Sequence, residues 1–282
     1  MSEVSMIRVF VRDGQGGNPV PLVADARGMS APAMQDVAAT HGHESAFVLP
    51  SDNGCDWRFR FFVPQHEMEM CGHATVGTLW AMRQWGQWTT PTARIETMSG
   101  IVQAYWDDAA QRVWISQPAV RIGALNAEAA DRVAMQIGLL GKGYPAINAA
   151  TSRVKTLVEL PSVAMLDSLD PHFSSMESLC ASIDSTGLYP YAFGVPKADG
   201  MRVVHARQFP KSSGYPEDAA TGIAAAALWG YLHAAGEVSG AIAVWQGDAM
   251  GSPSEILVAP RKTDSGEPDG CWLSGSVAWG EA

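Results

Sequence analysis

The feature that most restricts the fold of this chain is a likeness between its two halves. Phe62 stands nine residues before Cys71 and Phe209 nine before Asp218, with Pro64 and Pro210 just after the phenylalanines. The separation, 218 − 71 = 147, is about half of 282 residues, and self-similarity at that period points to a duplicated unit. In both copies a strand-like run feeds a helix that opens on small side chains. The first opens at Cys71-Gly72-His73-Ala74-Thr75, with small residues as in a helix packed tightly on a sheet, and the second, Ala-rich, at Glu217-Asp218-Ala219-Ala220-Thr221-Gly222-Ile223.

Around this echo the chain reads as short strands and a few helices. Ile7 to Val11 and Pro21 to Ala24 are strand-like and flank Asp13-Gly14-Gln15-Gly16-Gly17-Asn18-Pro19, which is either a wide hairpin connection or the wall of a site. Ser30 as N-cap, with Pro32 in the first turn, predicts a short amphipathic helix to about Thr40. Strands are expected at Ser45 to Pro50, Trp57 to Phe62, Ala93 to Glu96, Val102 to Trp106, Arg112 to Ser116 and Met201 to Phe209, with a helix over 126–140. Pro118 marks the expected boundary between two domains.

Composition excludes several classes of function. The net charge of −10 repels nucleic-acid phosphates and anionic lipid surfaces, so neither nucleic acid nor a membrane is expected as a partner. The apolar run from Ile223 to Leu232 is about ten residues, short of the ~20 that cross a bilayer. No basic segment leads into an apolar one near Met1 to Val11, and Cys55, Cys71, Cys180 and Cys271 show no C-x-x-C spacing. A reduced, cytoplasmic protein is the expectation.

Two helix starts that face each other across a cleft present free N–H groups to a carboxylate or enolate. The side chains there are Cys71 and His73 on one side and Asp218 and Thr221 on the other. Each also has an ordinary structural reading: Asp218 as a helix N-cap, His73 as a satisfied core histidine, Cys71 as an inert buried thiol, and Glu44 as a solvated carboxylate at a strand edge. His41, His43, His66 and Cys71 come from different predicted elements and include no H-E-x-x-H, so no metal site is expected. Trp80, Trp85 and Trp88 are spaced to cover one exposed patch, a candidate homodimer contact.

Several ordered motifs resemble the PhzF-like phenazine-biosynthesis isomerase family. They are Phe61-Phe62-Val63-Pro64, Cys71-Gly72-His73-Ala74-Thr75 and Glu217-Asp218-Ala219-Ala220-Thr221-Gly222, with Gly17-Asn18-Pro19, Glu44-Ser45-Ala46-Phe47-Val48 and Gln246-Gly247 along the chain. The resemblance implies an α+β fold like that of diaminopimelate epimerase: two pseudo-symmetric domains, each a curled, mostly antiparallel sheet around a central helix. The domains would span 1–118 and 119–269, with a last strand at about 270–282 joining the first. It further implies a cofactor-independent isomerase of a small unsaturated cyclic or amino-acid-like carboxylate. Glu44, His73 and Asp218 fall on the catalytic positions, and Asn18, Cys71, Gly72, Thr221, Gly222 and Ile223 are expected to line the substrate. The related two-cysteine epimerases differ in that Asp218 stands here as the second residue.

The sequence departs from the family pattern at Val63, at His41-Gly42-His43, at Ser252 in place of an arginine, and at Ile223 in place of a serine. Loss of the hydroxyl at Ile223 removes a hydrogen bond, which shifts specificity away from the phenazine precursor dihydro-3-hydroxyanthranilate. Two other readings stay open at this stage: an amino-acid racemase with Cys71 and Asp218 as opposed bases, and a non-catalytic binding protein.

Overall fold

The computed structural model describes residues 3–280 apart from 142, 264 and 267. The first half runs β1 (Ser5–Val11), β2 (Asn18–Val23), α1 (Ala31–His41), β3 (Ser45–Leu49), β4 (Trp57–Phe62), β5 (Glu67–Met68), α2 (Gly72–Gln84), β6 (Thr92–Thr97), β7 (Gly100–Asp107) and β8 (Arg112–Gln117). The second half begins with β9 (Arg121–Ala124), α3 (Ala127–Gln136), β10 (Ala146–Ala150), β11 (Val154–Glu159), α4 (Val163–Asp167) and α5 (Met176–Ser182). It continues with β12 (Gly187–Phe193), β13 (Arg202–Ala206), β14 (Phe209–Pro210), α6 (Gly222–Ala234), β15 (Ile242–Gln246) and β16 (Ser254–Lys262), and β17 (Pro268–Ser274) and β18 (Ser276–Trp279) follow.

Strand pairing closes nine strands into a barrel in the order β18-β1-β2-β3-β4-β6-β7-β8-β17, with β17 running on into β18. A second ring, β9-β10-β11-β12-β13-β15-β16-β17-β8, closes in the same manner because β8 runs on into β9. Most pairs are antiparallel, and each ring holds two parallel pairs at matching places: β2–β3 and β4–β6 in one, β11–β12 and β13–β15 in the other. The architecture is therefore α+β, two curled sheets related by pseudo-symmetry. β8 and β17 lie side by side where the rings meet.

Each ring encloses one helix. α2 packs on β1, β2, β3 and β8, and α6 on β10, β11, β16 and β17. Both are apolar nearly all round, as a helix must be when every face is covered: every residue from Gly222 to Gly230 is buried, and every one from Gly72 to Leu79. The single core cluster that runs through both helices includes Leu79, Leu228, Leu273 and Phe10. Phe10 adopts φ 65°, a left-handed conformation that costs a bulky residue ~1–2 kcal/mol, where the β1–β18 ladder bulges between Val9 and Val11.

The repeat is real, but its register changes by three residues. Arg60 grips Glu67 through Nε and Nη2 at 2.6 and 2.7 Å, and Arg207 grips Glu217 in the same way at 2.9 and 2.8 Å. The first pair is 7 residues apart and the second 10. The Phe61–Met68 pairing of β4 and β5 is matched by the Gln208–Asp218 bridge, so Asp218 is the counterpart of Met68. Cys71 caps α2 and Thr221 caps α6, an offset of 221 − 71 = 150. The pairing of Cys71 with Asp218 expected from the 147-residue spacing is thus corrected: three additional residues lie within 211–216.

Two further expectations change. Asp218 lies three residues before the N-cap of α6 and does not cap it. Trp88 is not on a shared surface patch: it is buried, with its indole N–H donating to Thr90 Oγ1 at 3.1 Å. Trp80 and Trp85 instead pack on Trp279, at ring separations of 5.1 and 5.3 Å. Among the described residues, no helix is long and apolar enough to cross a membrane.

Candidate active site

The two enclosed helices begin at the junction of the rings, so their first turns, whose N–H groups lack intrahelical partners, face one another. A Cβ placed on Gly72 would lie 3.6 Å from the backbone N of Ile223, and one on Gly222 would strike Leu273 at 2.8 Å and the Phe10 ring at 3.2 Å. Glycine at these two positions is what permits the close approach. Thr151 Oγ1 donates to the Ile223 carbonyl at 3.5 Å and ties the β10–β11 turn to the start of α6. The Ile223 side chain is buried and reaches Gly72, so this position is apolar wall in place of a hydrogen-bonding group.

Glu44 comes from the first ring, just before β3. Its Oε2 accepts from the Cys71 thiol at 2.9 Å and lies 3.6 Å from His73 Nε2; its Oε1 accepts from the Tyr215 hydroxyl at 3.1 Å. Burial pushes the Glu44 carboxyl up, but His73, the Cys71 thiol, Arg153 and Tyr215 outweigh it, and the net direction is down. Cys71 moves the other way. Burial and then the Glu44 charge hold it well above an ordinary thiol, so it serves Glu44 as a neutral donor.

Asp218 faces this group from the second ring. Asn18 Nδ2 donates to its Oδ1 at 2.7 Å and to the Ala220 carbonyl at 3.1 Å, and Thr221 Oγ1 donates to its Oδ2 at 2.5 Å. Gln246 fixes the same loop: its Nε2 donates to the Asp218 carbonyl at 2.6 Å, while its Oε1 accepts from the Thr221 N–H at 3.2 Å and from Tyr189 at 2.9 Å. Burial, followed by the Glu44 charge, raises the Asp218 carboxyl. One carboxyl is thus biased toward its ionised form and the other toward its acid form.

Ser252 stands outside this cluster and donates to the Gly17 carbonyl at 3.1 Å, closing the glycine-rich loop against the β15–β16 connection. His41, His43 and His66 are exposed. Among the described residues, the one group of three ligand-type side chains close enough to share an ion is Glu44, Cys71 and His73, within 4.8 Å of one another. These three hydrogen-bond or pair among themselves. Sequence reasoning missed Tyr215, Tyr189, Arg153 and Lys155. Tyr215 belongs to the three-residue expansion of the second repeat, and that change in spacing is the signal that marks its segment.

Two pseudo-symmetric barrels with carboxylates meeting at two helix starts define a known class. The family model described as phenazine biosynthesis-like protein matches residues 7–276, and the chain belongs to this family. An uncharacterized isomerase of Deinococcus radiodurans is 30% identical over 92% of this chain and 86% of its own. The Bacillus anthracis phenazine biosynthesis protein of the PhzF family superposes with a TM-score of 0.85 at 24% identity, covering 99% and 96% of the two chains. A probable proline racemase from Agrobacterium radiobacter shares the fold at a TM-score of 0.66 and 12% identity, covering 98% and 90%. By class the chain is an isomerase.

Proposed function

We propose that the chain moves a proton between two carbons of a small unsaturated carboxylate without a cofactor. The observation that carries this reading is geometric: Glu44, held by Cys71, His73 and Tyr215, and Asp218, held by Asn18 and Thr221, meet where the two helix starts face each other. Glu44 takes a proton from a carbon next to an unsaturated system, the electron pair shifts through that system, and the proton returns to a different carbon. N–H groups at Gly72 and Gly222 hold the substrate carboxylate and the charge that develops on it. Asp218 and His73 attend the second proton position. Asn18 and Thr221 keep Asp218 in place, and Ile223 turns the pocket toward a less polar ring than dihydro-3-hydroxyanthranilate.

The test is incubation in D2O with a panel of cyclohexadiene carboxylates and amino acids, followed by mass spectrometry. Deuterium uptake into one compound supports the reading, and uptake into none sinks it. Because Glu44 works as the carboxylate and its affinity for a proton is lowered, exchange is expected to hold flat as pH falls, declining only below the ordinary glutamate range. A pH–rate profile whose acid limb sits near neutrality contradicts the assignment of Glu44 as the base.

A racemase with Cys71 as a base makes the opposite demand. Here the thiol is neutral and Thr221, not a cysteine, caps the second helix. Cys71→Ala is expected to cost no more than about tenfold in exchange rate, the loss of one hydrogen bond to Glu44. A fall of ~10³-fold or more in that variant would support the thiol as a base.

A further inference from the structure

Two cations of the second ring, Lys155 and Arg153, face the site, and among the described residues their side chains form no ion pair, Glu44 and Asp218 acting on them only at longer range. Lys155 lies on β11, in register with Ala149 of β10, and Leu157 two residues on packs in the core around α6. Side chains two apart on a strand share a face, so Lys155 points into the barrel, at the end where the β10–β11 turn is tied to the start of α6. Lys155 is 5% exposed, yet among the described residues neither it nor Arg153 in the adjoining turn makes a hydrogen bond or an ion pair. Both are close enough to bias the site: Arg153 acts on Glu44 and Cys71, and Lys155 on Asp218.

A mostly buried lysine whose ammonium has no hydrogen-bond partner is costly, and burial together with Arg153 pulls Lys155 down to about 7 although Asp218 and Glu44 act the other way. Those two carboxylates are engaged elsewhere, by Asn18 and Thr221 and by Cys71 and Tyr215. The missing partner is an anion that arrives with the ligand. The overall charge of −10 gives no general attraction for anions, which makes a local pair of cations the more specific device.

We infer that Lys155 and Arg153 bind a second carboxylate of the substrate, so that the isomerase acts on a dicarboxylate with one anionic group at the helix starts and the other at this pair. The inference rests on the reading of the site given above, and its test separates the two. Glutarate and benzene-1,3-dicarboxylate are titrated calorimetrically into the full chain beside butyrate and benzoate. Each dicarboxylate is expected to bind at least ~10-fold more tightly than its monocarboxylate partner, an advantage that Lys155→Met and Arg153→Gln each reduce to under ~3-fold. Arg153 sits in a turn, so its variant keeps the test open if the core variant unfolds.

Equal binding of the two classes, no binding of either, or an equal loss for both in the variants overturns the proposal. Dicarboxylate binding that depends on Lys155, with no deuterium uptake into any unsaturated mono- or dicarboxylate, leaves the cation pair standing and removes the isomerase reading. Deuterium uptake into monocarboxylates, with no binding advantage for the dicarboxylates, does the reverse.

Discussion

Glu44→Gln is expected to abolish deuterium exchange, by at least ~10³-fold, while leaving the melting temperature within about 5 °C of the parent. The amide is nearly isosteric and keeps an oxygen for the Tyr215 hydroxyl, but it cannot take a proton from carbon at any accessible pH. The folded state keeps its barrels, because Glu44 precedes β3 and contributes no ladder hydrogen bond with its side chain. Mass spectrometry after D2O incubation reads the first quantity and thermal unfolding the second. Exchange at a tenth of the parental rate or more would remove Glu44 from the chemistry. A collapse in stability would instead make it a structural carboxylate.

The second large effect is on folding. Gly270→Ala is expected to lower stability by about 4 kcal/mol and the melting temperature by about 10 °C. Gly270 has φ +81°, a conformation that L side chains rarely adopt, and its Cβ would lie 2.1 Å from the Gln117 carbonyl oxygen and 2.6 Å from the Pro118 carbonyl carbon. Those atoms are backbone at the point where β8 gives way to β9, so relief requires moving the junction of the rings. A flexible side chain could have yielded; a peptide carbonyl within a paired strand does not. An alanine variant that melts within about 2 °C of the parent would show that the junction is soft.

How much of this was legible in the sequence can be read from particular residues. The motif around Cys71-Gly72-His73 and the one around Asp218 located both helix starts, and Glu44 lies beside His73 with Asp218 near enough to feel both. The strand-like spacing in the first half also corresponds closely to β4, β6, β7 and β8. Less visible was the second half. From β10 to β12 the chain alternates short elements whose apolar residues serve two cores at once: Leu157 faces α6, while Val158 faces α3 and α5. That two-sided burial erases the period-two signal. Lys155 was invisible for a related reason, since a lysine in a buried strand has the local composition of a solvated edge. The three-residue shift hid the true partner of Cys71, because a spacing argument assumes no insertion between its two landmarks.

The exchange of strands between rings has a consequence for how the protein is made. Ile7 of β1 pairs with Trp279 of β18, and β17 supplies the seam between β8 and β16. As the polypeptide leaves the ribosome, the first barrel therefore waits with α2 only partly covered until almost the entire sequence has emerged. Neither half is finished before the other, and such distant pairing makes assembly slow. A nascent chain stalled before β17 would hold two unclosed sheets, each with a bare edge that other proteins could extend.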